Sequence, residues 1–318
     1  MTLDDSSRPL PELGTKPRFE GPLSRAQIDR DHGARERAGL IDELWTDPAT
    51  RILPILDGQA LLASPDRLRL LAPGVLARPA VSVYLGRTIE DAPDAPAGTP
   101  IVAALLEDAS HLAEADWVNL RQVGAQLAAR DAGLFTQALA ILNWHVSHAF
   151  SPKTGEATVL ESAGWVRRDP VGGDQVFPRT DPAIIVAVLD ADDRILLGSN
   201  ALWESNRYSL LAGFVDPGES LEAAVIREVA EESGLRIVDP AYVGSQPWPF
   251  PASLMLGFTA RLADDEPGLP QPDGVEILDL RWFSRDELAA ALGDVKLPMR
   301  TSIARAIIEG WFGGPLGD

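Results

Sequence analysis

Residues 213–235 read GFVDPGESLEAAVIREVAEESGL, a stretch that places Glu228, Glu231 and Glu232 within about one helical turn. Like charges four residues apart destabilise a helix, so carboxylates at positions 228 and 232 are costly unless a cation binds them. Hard divalent cations such as Mg²⁺ and Mn²⁺ prefer oxygen ligands and would offset that cost. The opposite face of the helix, which we expect to pack, carries Ala223, Ile226, Val229 and Ala230.

The residues that flank this helix predict where it begins and ends. Pro217 and Gly218 favour a turn, and Ser220 is suited to cap the helix N-terminus. Gly234 is suited to the C-terminal cap, and Gly213 permits an unusual backbone close to a metal. The stretch therefore predicts a loop–helix–loop unit with one packed face and one chemically active face.

The stretch also contains a fixed pattern: Gly, five residues, Glu, seven residues, Arg-Glu, aliphatic, any residue, Glu-Glu, any residue, Gly, aliphatic. These positions are filled by Gly213, Glu219, Arg227, Glu228, Val229, Glu231, Glu232, Gly234 and Leu235. A solvated acidic helix face would explain a run of charge, but not a pattern with this many filled positions. The stretch resembles the Nudix box of enzymes that cleave nucleoside diphosphates linked to another group.

A second motif lies downstream at residues 245–253, which read SQPWPFPAS. Aromatic rings on a proline-stiffened loop can stack on a base or a nicotinamide ring. From the residues alone, a rigid packing loop is an equal alternative. Downstream of a Nudix box, however, this motif resembles the signature of the NADH pyrophosphatase, or NudC-like, family. The similarity in layout covers most of the chain and is strongest from about residue 164 onward.

The resemblance implies hydrolysis of the pyrophosphate of NAD(H) to nicotinamide mononucleotide and AMP, with Mg²⁺ or Mn²⁺ as cofactor. Several members of the family also remove the NAD cap from RNA 5′ ends, so free NAD(H) and capped RNA both remain open as substrates. The family also implies a homodimer with sites at the subunit boundary. One alternative is a broader Nudix hydrolase that acts on ADP-ribose, which the intact second motif disfavours. Another is a non-catalytic nucleotide-sensing module, which would be expected to lack box glutamates.

The expected metal site consists of five residues. Glu228 and Glu232 are the first expected ligands, since they are neighbours on one helix face. Glu231 is a further ligand or the base that takes the proton of the attacking water. By the resemblance, the carbonyl of Ala212 and the carboxylate of Glu276 also reach the metal. For Glu276, a surface position on a strand edge remains an alternative.

The resemblance also assigns residues that bind substrate or support the box. Glu219 is expected to pair with Arg227 and fix the loop. Phe214 is expected to stack on the nicotinamide side, and Phe177 to lie near the dimer boundary, while the segment 297–302 closes the pocket. The second motif is expected to contribute Ser245, Gln246, Trp248, Phe250 and Ser253.

The composition limits the class of protein. The chain has 318 residues and a mass of 34.2 kDa, which is long enough for two domains. Its net charge of −19 disfavours general binding to nucleic acid or anionic membranes, so RNA would have to be held at its end. The absence of cysteine excludes disulfides and fits a cytoplasmic protein. We find neither a signal peptide nor an apolar run long enough to span a bilayer.

The layout predicts an α+β chain in three parts. An N-terminal α/β domain covers residues 1–144, a connector covers 145–180, and a Nudix α/β/α sandwich covers 181–318. In the N-terminal part, residues 101–106 predict a strand, 117–144 a helix, and 25–39 a surface helix or ordered arm. In the C-terminal part, the predicted strands lie at 183–190, 194–198, 241–244, 254–263 and 279–283. Short helices are predicted from Ser284 and over 301–311.

The connector departs from the family pattern. Zinc-binding members carry two Cys-x-x-Cys pairs there, whereas the matching positions here are Ser151, Thr154, Asp169 and Gly172. Tetrahedral zinc needs four good nitrogen or sulfur ligands, and these residues do not supply them even with His145 and His148 nearby. We expect a ribbon without zinc, similar to an actinobacterial-type branch of the family. Its expected packing residues are Phe150, Trp165 and Phe177.

Overall fold

The computed structural model describes residues 19–108, 112, 116–204 and 206–317. They form a large N-terminal sheet, a small sheet in the connector and a large C-terminal sheet. The N-terminal sheet contains β1 (Ile28–Asp29), β2 (Arg51–Leu56), β3 (Gln59–Ser64), β4 (Arg67–Leu68), β5 (Ser82–Thr88), β6 (Pro100–Leu105) and β7 (Trp117–Asn119). The strand order is β1-β5-β6-β2-β3-β4, and β7 pairs with β3.

Helices cover both faces of the N-terminal sheet. They are α1 (Leu40–Thr46), α2 (Leu120–Val123) and α3 (Ala129–Ser147). Because side chains alternate across a strand, Val83 and Leu85 pack in the cluster that contains α3. Tyr84, which lies between them, packs in the cluster that contains Leu40 and Leu44 of α1. The sheet is therefore buried on both sides, as expected for an α/β domain.

Two N-terminal predictions need correction. The predicted helix over 117–144 begins instead with β7, which pairs antiparallel with residues 59–61, and continues through the short α2 to α3. The segment 25–39 is not a surface helix, because β1 pairs with β5 and a 3-10 turn covers His32–Glu36. In both cases a pairing with a distant strand overrides the local pattern. The predicted strand at 101–106 is confirmed as β6.

The connector forms a small antiparallel sheet of β8 (Val159–Glu161), β9 (Val166–Arg168) and β10 (Gln175–Val176). At its base, the fully buried Asp169 accepts hydrogen bonds from the Thr154 hydroxyl at 2.6 Å and the Gly172 amide at 3.0 Å. The Ser151 oxygen accepts the Thr154 amide at 3.2 Å. The hydrogen bonds to Asp169, first that from the Thr154 hydroxyl and then that from the Gly172 amide, hold the pKa of Asp169 well below its usual range. The four positions that the resemblance matches to zinc ligands thus form a cluster built on one carboxylate.

The expected packing of the connector is only partly correct. Phe150 and Phe177 are 64% and 59% exposed, so the expectation that they hold the ribbon together is wrong. Trp165 does contribute, since its indole N–H donates to the Tyr84 carbonyl at 2.7 Å. Burial lowers the pKa of His145 to about 4, and its neutral ring bridges the Gly164 carbonyl and the Arg167 guanidinium. A packing role for His145, one of the two expected for this histidine, is therefore confirmed.

Replacing Asp169 with alanine is expected to lower the thermal midpoint of the protein by several degrees. The substitution removes the buried carboxylate that the Thr154 hydroxyl and the Gly172 amide share as their acceptor. Asp174→Ala is the matched control, because its carboxylate pairs with Lys153 at the surface. The measurement is a thermal melt of both variants. Equal midpoints for the two would contradict the role assigned to Asp169.

The C-terminal sheet forms the middle of a sandwich. Its strands are β11 (Asp181–Leu189), β12 (Ile195–Asn200), β13 (Leu211–Phe214), β14 (Ile237–Trp248), β15 (Ser253–Leu262) and β16 (Ile277–Phe283). Its helices are α4 (Leu221–Ser233), α5 (Arg285–Ala291) and α6 (Ile303–Phe312). The order is β14-β15-β11-β12-β16, and β13 pairs with β11.

The central strand β11 explains the layers. Ile184 and Val186 pack in the cluster that contains Val225 of α4, whereas Ile185 packs in the cluster that contains Ile307 of α6. One face of the sheet therefore meets α4 and the other meets α6, which confirms the predicted α/β/α sandwich. No helix in the described part of the chain is long and apolar enough to cross a membrane.

Most C-terminal elements match their predictions, with one change that concerns the site. Ser284 forms the expected N-cap of α5, as part of a capping box with Glu287. The second motif, predicted as a loop, is largely strand. β14 extends to Trp248 and β15 begins at Ser253, so only residues 249–252 form the turn. The motif is therefore the tip of an antiparallel hairpin.

Candidate active site

Helix α4 begins and ends where the sequence predicts. The Ser220 hydroxyl accepts a hydrogen bond from the Ala223 amide at 3.2 Å, and Gly234 ends the helix at φ 68°. The packed face is different from the expected one. The buried apolar positions are Ala224, Val225 and Val229, whereas Ala223, Ile226 and Ala230 are exposed. Glu232 is buried on the same face, so this glutamate lies against the sheet instead of away from it, whereas Glu231 is exposed.

Arg227 connects the helix to the preceding loop. Its guanidinium donates two hydrogen bonds of 2.8 Å to Glu219, which confirms the expected pair. It also donates to Glu228 at 2.8 Å, to Glu231 at 3.0 Å and to the Phe214 carbonyl at 3.0 Å. A planar guanidinium with five donors suits this role, because one side chain holds the loop and two glutamates together.

Glu232 is the most unusual carboxylate of the group. It is only 5% exposed, and its Oε2 atom has no hydrogen-bond partner among the described residues. Burial, followed by the negative charges of Glu228 and Glu276, raises its pKa to about 8. The backbone of Ala212 in β13 forms a hydrogen bond with this carboxylate and acts in the opposite direction. A buried, unpaired carboxyl oxygen is costly unless a cation binds it.

Glu228 lies directly on the backbone of β13 at Gly213. A Cβ atom added to Gly213 would stand 2.0 Å from the Cδ atom of Glu228, so only glycine leaves room for this carboxylate. Burial raises the pKa of Glu228, the Arg227 guanidinium opposes the shift, and the charges of Glu231 and Glu276 add to it. Gly213 lies in strand β13 without a positive φ, so the expected unusual backbone is wrong and the need for glycine here is steric.

The remaining expected ligands lie around this pair. Glu231 is exposed and bound to Arg227. Glu276 is exposed just before β16, and its amide donates to the Asp273 carboxylate at 3.0 Å. Within the described ranges, no three His, Asp or Glu side chains are close enough together to hold a metal ion. The residues fit a divalent cation through the oxygens of Glu228 and Glu232, because the free Glu232 oxygen is an unused ligand position.

The residues expected to bind substrate fall into two groups. Phe214 ends β13 directly after Gly213 and is 60% exposed, so its ring is available to a ligand. Gln246 is fully buried instead, where it accepts from the Leu23 amide at 3.2 Å and donates to the Thr301 carbonyl at 2.9 Å. Because both ends of this amide are occupied inside the protein, Gln246 differs from the expectation and joins three chain segments.

The aromatic residues of the second motif pack against the N-terminal domain. Trp248 and Phe250 meet edge to face with ring centroids 4.8 Å apart, and both contact the N-terminal core. The Arg121 guanidinium lies 4.1 Å from the Phe250 ring, and Asn143 donates to the Pro249 carbonyl at 3.0 Å. Ser245 and Ser253 are half-buried in the paired strands. The alternative that this motif is a rigid packing element therefore holds for Trp248 and Phe250.

Three residues near the site had no signal in the sequence. Arg121 and Asn143 contact the second motif from the N-terminal domain, more than one hundred positions earlier in the chain. Asp273 accepts backbone amides that hold the turn before Glu276. A single arginine, asparagine or aspartate in a region without a motif does not predict such a contact.

Comparison with known proteins covers both halves of the chain. Residues 179–306 match the family described as NUDIX domain, and residues 49–144 match the NADH pyrophosphatase-like rudimentary NUDIX domain. The sequence reading missed the second relationship, because residues 49–144 carry no Nudix box.

Similar proteins extend over nearly the whole chain. The NAD-capped RNA hydrolase NudC of Mycobacterium tuberculosis is 40% identical over 301 residues, which covers 91% of this chain and 94% of that protein. The protein of the same name from Stutzerimonas stutzeri is 39% identical over 69% of this chain and 76% of its own length. The human NAD-capped RNA hydrolase NUDT12 is 36% identical over 58% of this chain and 43% of its own length.

Proposed function

The chain belongs to the NudC group of Nudix hydrolases, and from this membership we propose that it hydrolyses the pyrophosphate of NAD(H) to nicotinamide mononucleotide and AMP. Removal of the NAD cap from RNA is part of the same proposal, since it is the activity named for the relatives. The observation that supports it best is the buried, unpaired oxygen of Glu232 beside Glu228. That pair is where a substrate-bound cation would be held.

Each residue of the site has a proposed task. Glu228 and Glu232 hold Mg²⁺ or Mn²⁺, with the backbone of Ala212 and the carboxylate of Glu276 as additional ligands. A divalent cation held there would supply positive charge to offset the phosphates and would lower the pKa of the attacking water. Glu231 is exposed and serves as a further ligand or as the base that accepts the proton of the attacking water. Arg227 keeps the glutamates in place through its four partners.

Product analysis tests the proposal. The purified protein is incubated with NADH, ADP-ribose or an NAD-capped RNA, each with Mg²⁺ or Mn²⁺, and the products are separated by chromatography. Reduced nicotinamide mononucleotide and AMP, formed faster than ADP-ribose is cleaved, are the expected result. Equal rates would favour a broader Nudix hydrolase, and cleavage of none of these substrates would favour a nucleotide-sensing module. The RNA reaction decides whether cap removal belongs to the activity.

Phe214→Ala is expected to raise KM for NADH by about tenfold while kcat changes less, because the exposed ring supplies stacking energy to the bound nicotinamide. Phe214→Tyr keeps the ring and is the matched control, with a KM close to that of the wild type. Steady-state kinetics on NADH measure both. An unchanged KM in the alanine variant would remove Phe214 from the substrate site.

The homodimer is a separate part of the proposal. Phe150, Val171 and Phe177 are exposed apolar side chains of the connector, and a second copy of the chain would cover them. Light scattering coupled to size-exclusion chromatography measures the oligomeric state. A wild-type dimer that dissociates on Phe150→Asp with Phe177→Asp would support this surface, and a monomeric wild type would exclude it. The absence of zinc and the cytoplasmic location remain predictions.

A further inference from the structure

A cleft of 220 Å³ lies between the N-terminal domain and the C-terminal sandwich. The N-terminal domain contributes Arg121, and the loop between β12 and β13 contributes Trp203 and Arg207. Trp248 of the second motif and Met299 of the 297–302 segment also line the cleft. None of the described residues that line the cleft is acidic, although the chain has a net charge of −19. Planar rings beside cationic groups are a chemistry that suits a nucleotide.

The backbone of Arg121 is hydrogen-bonded, whereas its guanidinium has no anionic partner among the described residues. Its carbonyl accepts the Thr301 hydroxyl at 2.6 Å, and its guanidinium lies 4.1 Å from the Phe250 ring and 5.2 Å from the Trp248 ring. In the part of the chain that the structure describes, the guanidinium has neither a carboxylate nor a carbonyl partner. Burial lowers its pKa. A partly buried cation without an anion is unfavourable, and a bound phosphate would offset that cost.

Arg207 adds a second positive charge. Its guanidinium lies 3.3 Å from the Glu204 carboxylate, which also pairs with Lys296. One acidic side chain is therefore shared between two basic ones. Together with Arg121, this leaves an excess of positive charge around the cleft.

The loop that carries Arg207 connects the cleft to the carboxylate group. It starts at Ala201, whose amide donates to the Glu276 carbonyl at 2.8 Å, and it leads through Ser209 into β13. The next residues are Ala212 and Gly213, beside Glu232 and Glu228. Residues 207–213 thus form one continuous stretch of chain between the cleft and the carboxylates.

We propose that Arg121 and Arg207 bind a phosphate group of the nucleotide substrate in this cleft, with an adjacent ring against the exposed Trp203. The proposal rests on the proposed function and gives the N-terminal domain a part in recognising substrate. Arginine suits the task, because its planar guanidinium binds a phosphate through two hydrogen bonds. The phosphate is either one of the two in NAD(H) or the first phosphate of the RNA chain in a capped RNA.

Kinetics of variants distinguish these sources. We compare the wild type with Arg121→Gln, Arg121→Lys and Arg207→Gln, on NADH and on an NAD-capped RNA. The control is Arg261→Gln, because Arg261 pairs with Asp239 on the open surface. For Arg121→Gln we expect KM to rise about tenfold with kcat changed less than about twofold, and partial recovery in Arg121→Lys. A rise with both substrates identifies a phosphate of the dinucleotide, and a rise with RNA alone identifies the RNA chain.

A binding measurement separates this proposal from the proposed function. Calorimetry with AMP and with ADP in the presence of EDTA reports on the cleft without the metal site. If Arg121→Gln is unstable, Arg207→Gln takes its place in the test, since the Arg207 side chain is 32% exposed. Loss of nucleotide binding in these variants supports phosphate binding in the cleft even if the wild type hydrolyses neither NADH nor the capped RNA. Hydrolysis and binding that are unchanged in both glutamine variants would overturn the proposal.

Discussion

Glu232→Gln is expected to lower kcat on NADH by roughly three orders of magnitude or more while the protein stays folded. The substitution keeps the size of the side chain but removes the carboxylate that a bound cation would keep ionised, at the box glutamate that is buried against β13. The same variant should lose the rise in thermal midpoint that Mn²⁺ gives the wild type, because ligand binding to the native state raises its stability. Kinetics and thermal melts with and without metal measure both effects.

Glu222→Gln is the matched control, since Glu222 is exposed in the first turn of the same helix. It should retain both the activity and the stabilisation by metal. Wild-type turnover in Glu232→Gln would refute the assignment of Glu232 as a ligand. Loss of both properties in Glu222→Gln would point to damage of the helix instead of loss of a ligand.

For the wild type and Glu232→Gln we also predict different pH dependences of the free energy of unfolding in the absence of metal. The pKa of Glu232 is about 8 in the folded protein and about 4.5 in the unfolded chain. Between these values the native state retains a proton that the unfolded state has released, so stability falls as pH rises, by at most about 1.4 kcal/mol per pH unit for one group. Urea unfolding in EDTA at pH 5 and pH 8 should show a smaller fall for Glu232→Gln than for the wild type. Equal falls would exclude a raised pKa at this position.

Gly213→Ala is expected to lower kcat by roughly a hundredfold with little change in thermal midpoint. The new Cβ atom would stand 2.0–2.3 Å from the carboxylate atoms of Glu228, which lies at the free end of a flexible side chain. The side chain can move away at small cost to folding, but its carboxylate then leaves the position in which it faces Glu232. Kinetics on NADH with a Mn²⁺ titration and a thermal melt measure the two parts of this prediction.

Gly310→Ala provides the control for glycine replacement, because no atom lies within 4 Å of its added Cβ in α6. That variant should be fully active and slightly more stable, since alanine is the better helix former. If Gly213→Ala kept wild-type activity, the carboxylate of Glu228 would not need its position on β13. A large fall in the thermal midpoint would mean instead that the backbone, and not the carboxylate, had been displaced.

The location of helix α4 could be predicted because its determinants are local. Ser220 and Gly234 cap the helix, and Glu219 pairs with Arg227 eight positions later, as expected from the pattern. The orientation of the helix could not be predicted in the same way. Ile226 is exposed and Glu232 is buried, because the sheet, which is built from distant strands, decides which face of α4 is covered.

The second motif was recognised from its residues, but its surroundings were not. Gln246 lies inside the protein between Leu23 and Thr301, and Arg121 covers Phe250. These contacts join segments from 55 to 223 positions apart, so no periodicity or spacing predicts them. The strand pairing that replaced the start of the predicted helix at residue 117 has the same origin.

The sequence by itself determined the family, the chemistry and the carboxylates, because a box with fixed spacing needs only one turn-helix unit to bring Glu228, Glu231 and Glu232 together. Only the tertiary structure decided how those carboxylates differ. Glu232 is buried beside Ala212, Glu228 rests on Gly213, and Glu231 stays exposed. Burial and charge depend on which atoms the rest of the chain brings near a side chain, and that is settled only when β13 packs beneath α4.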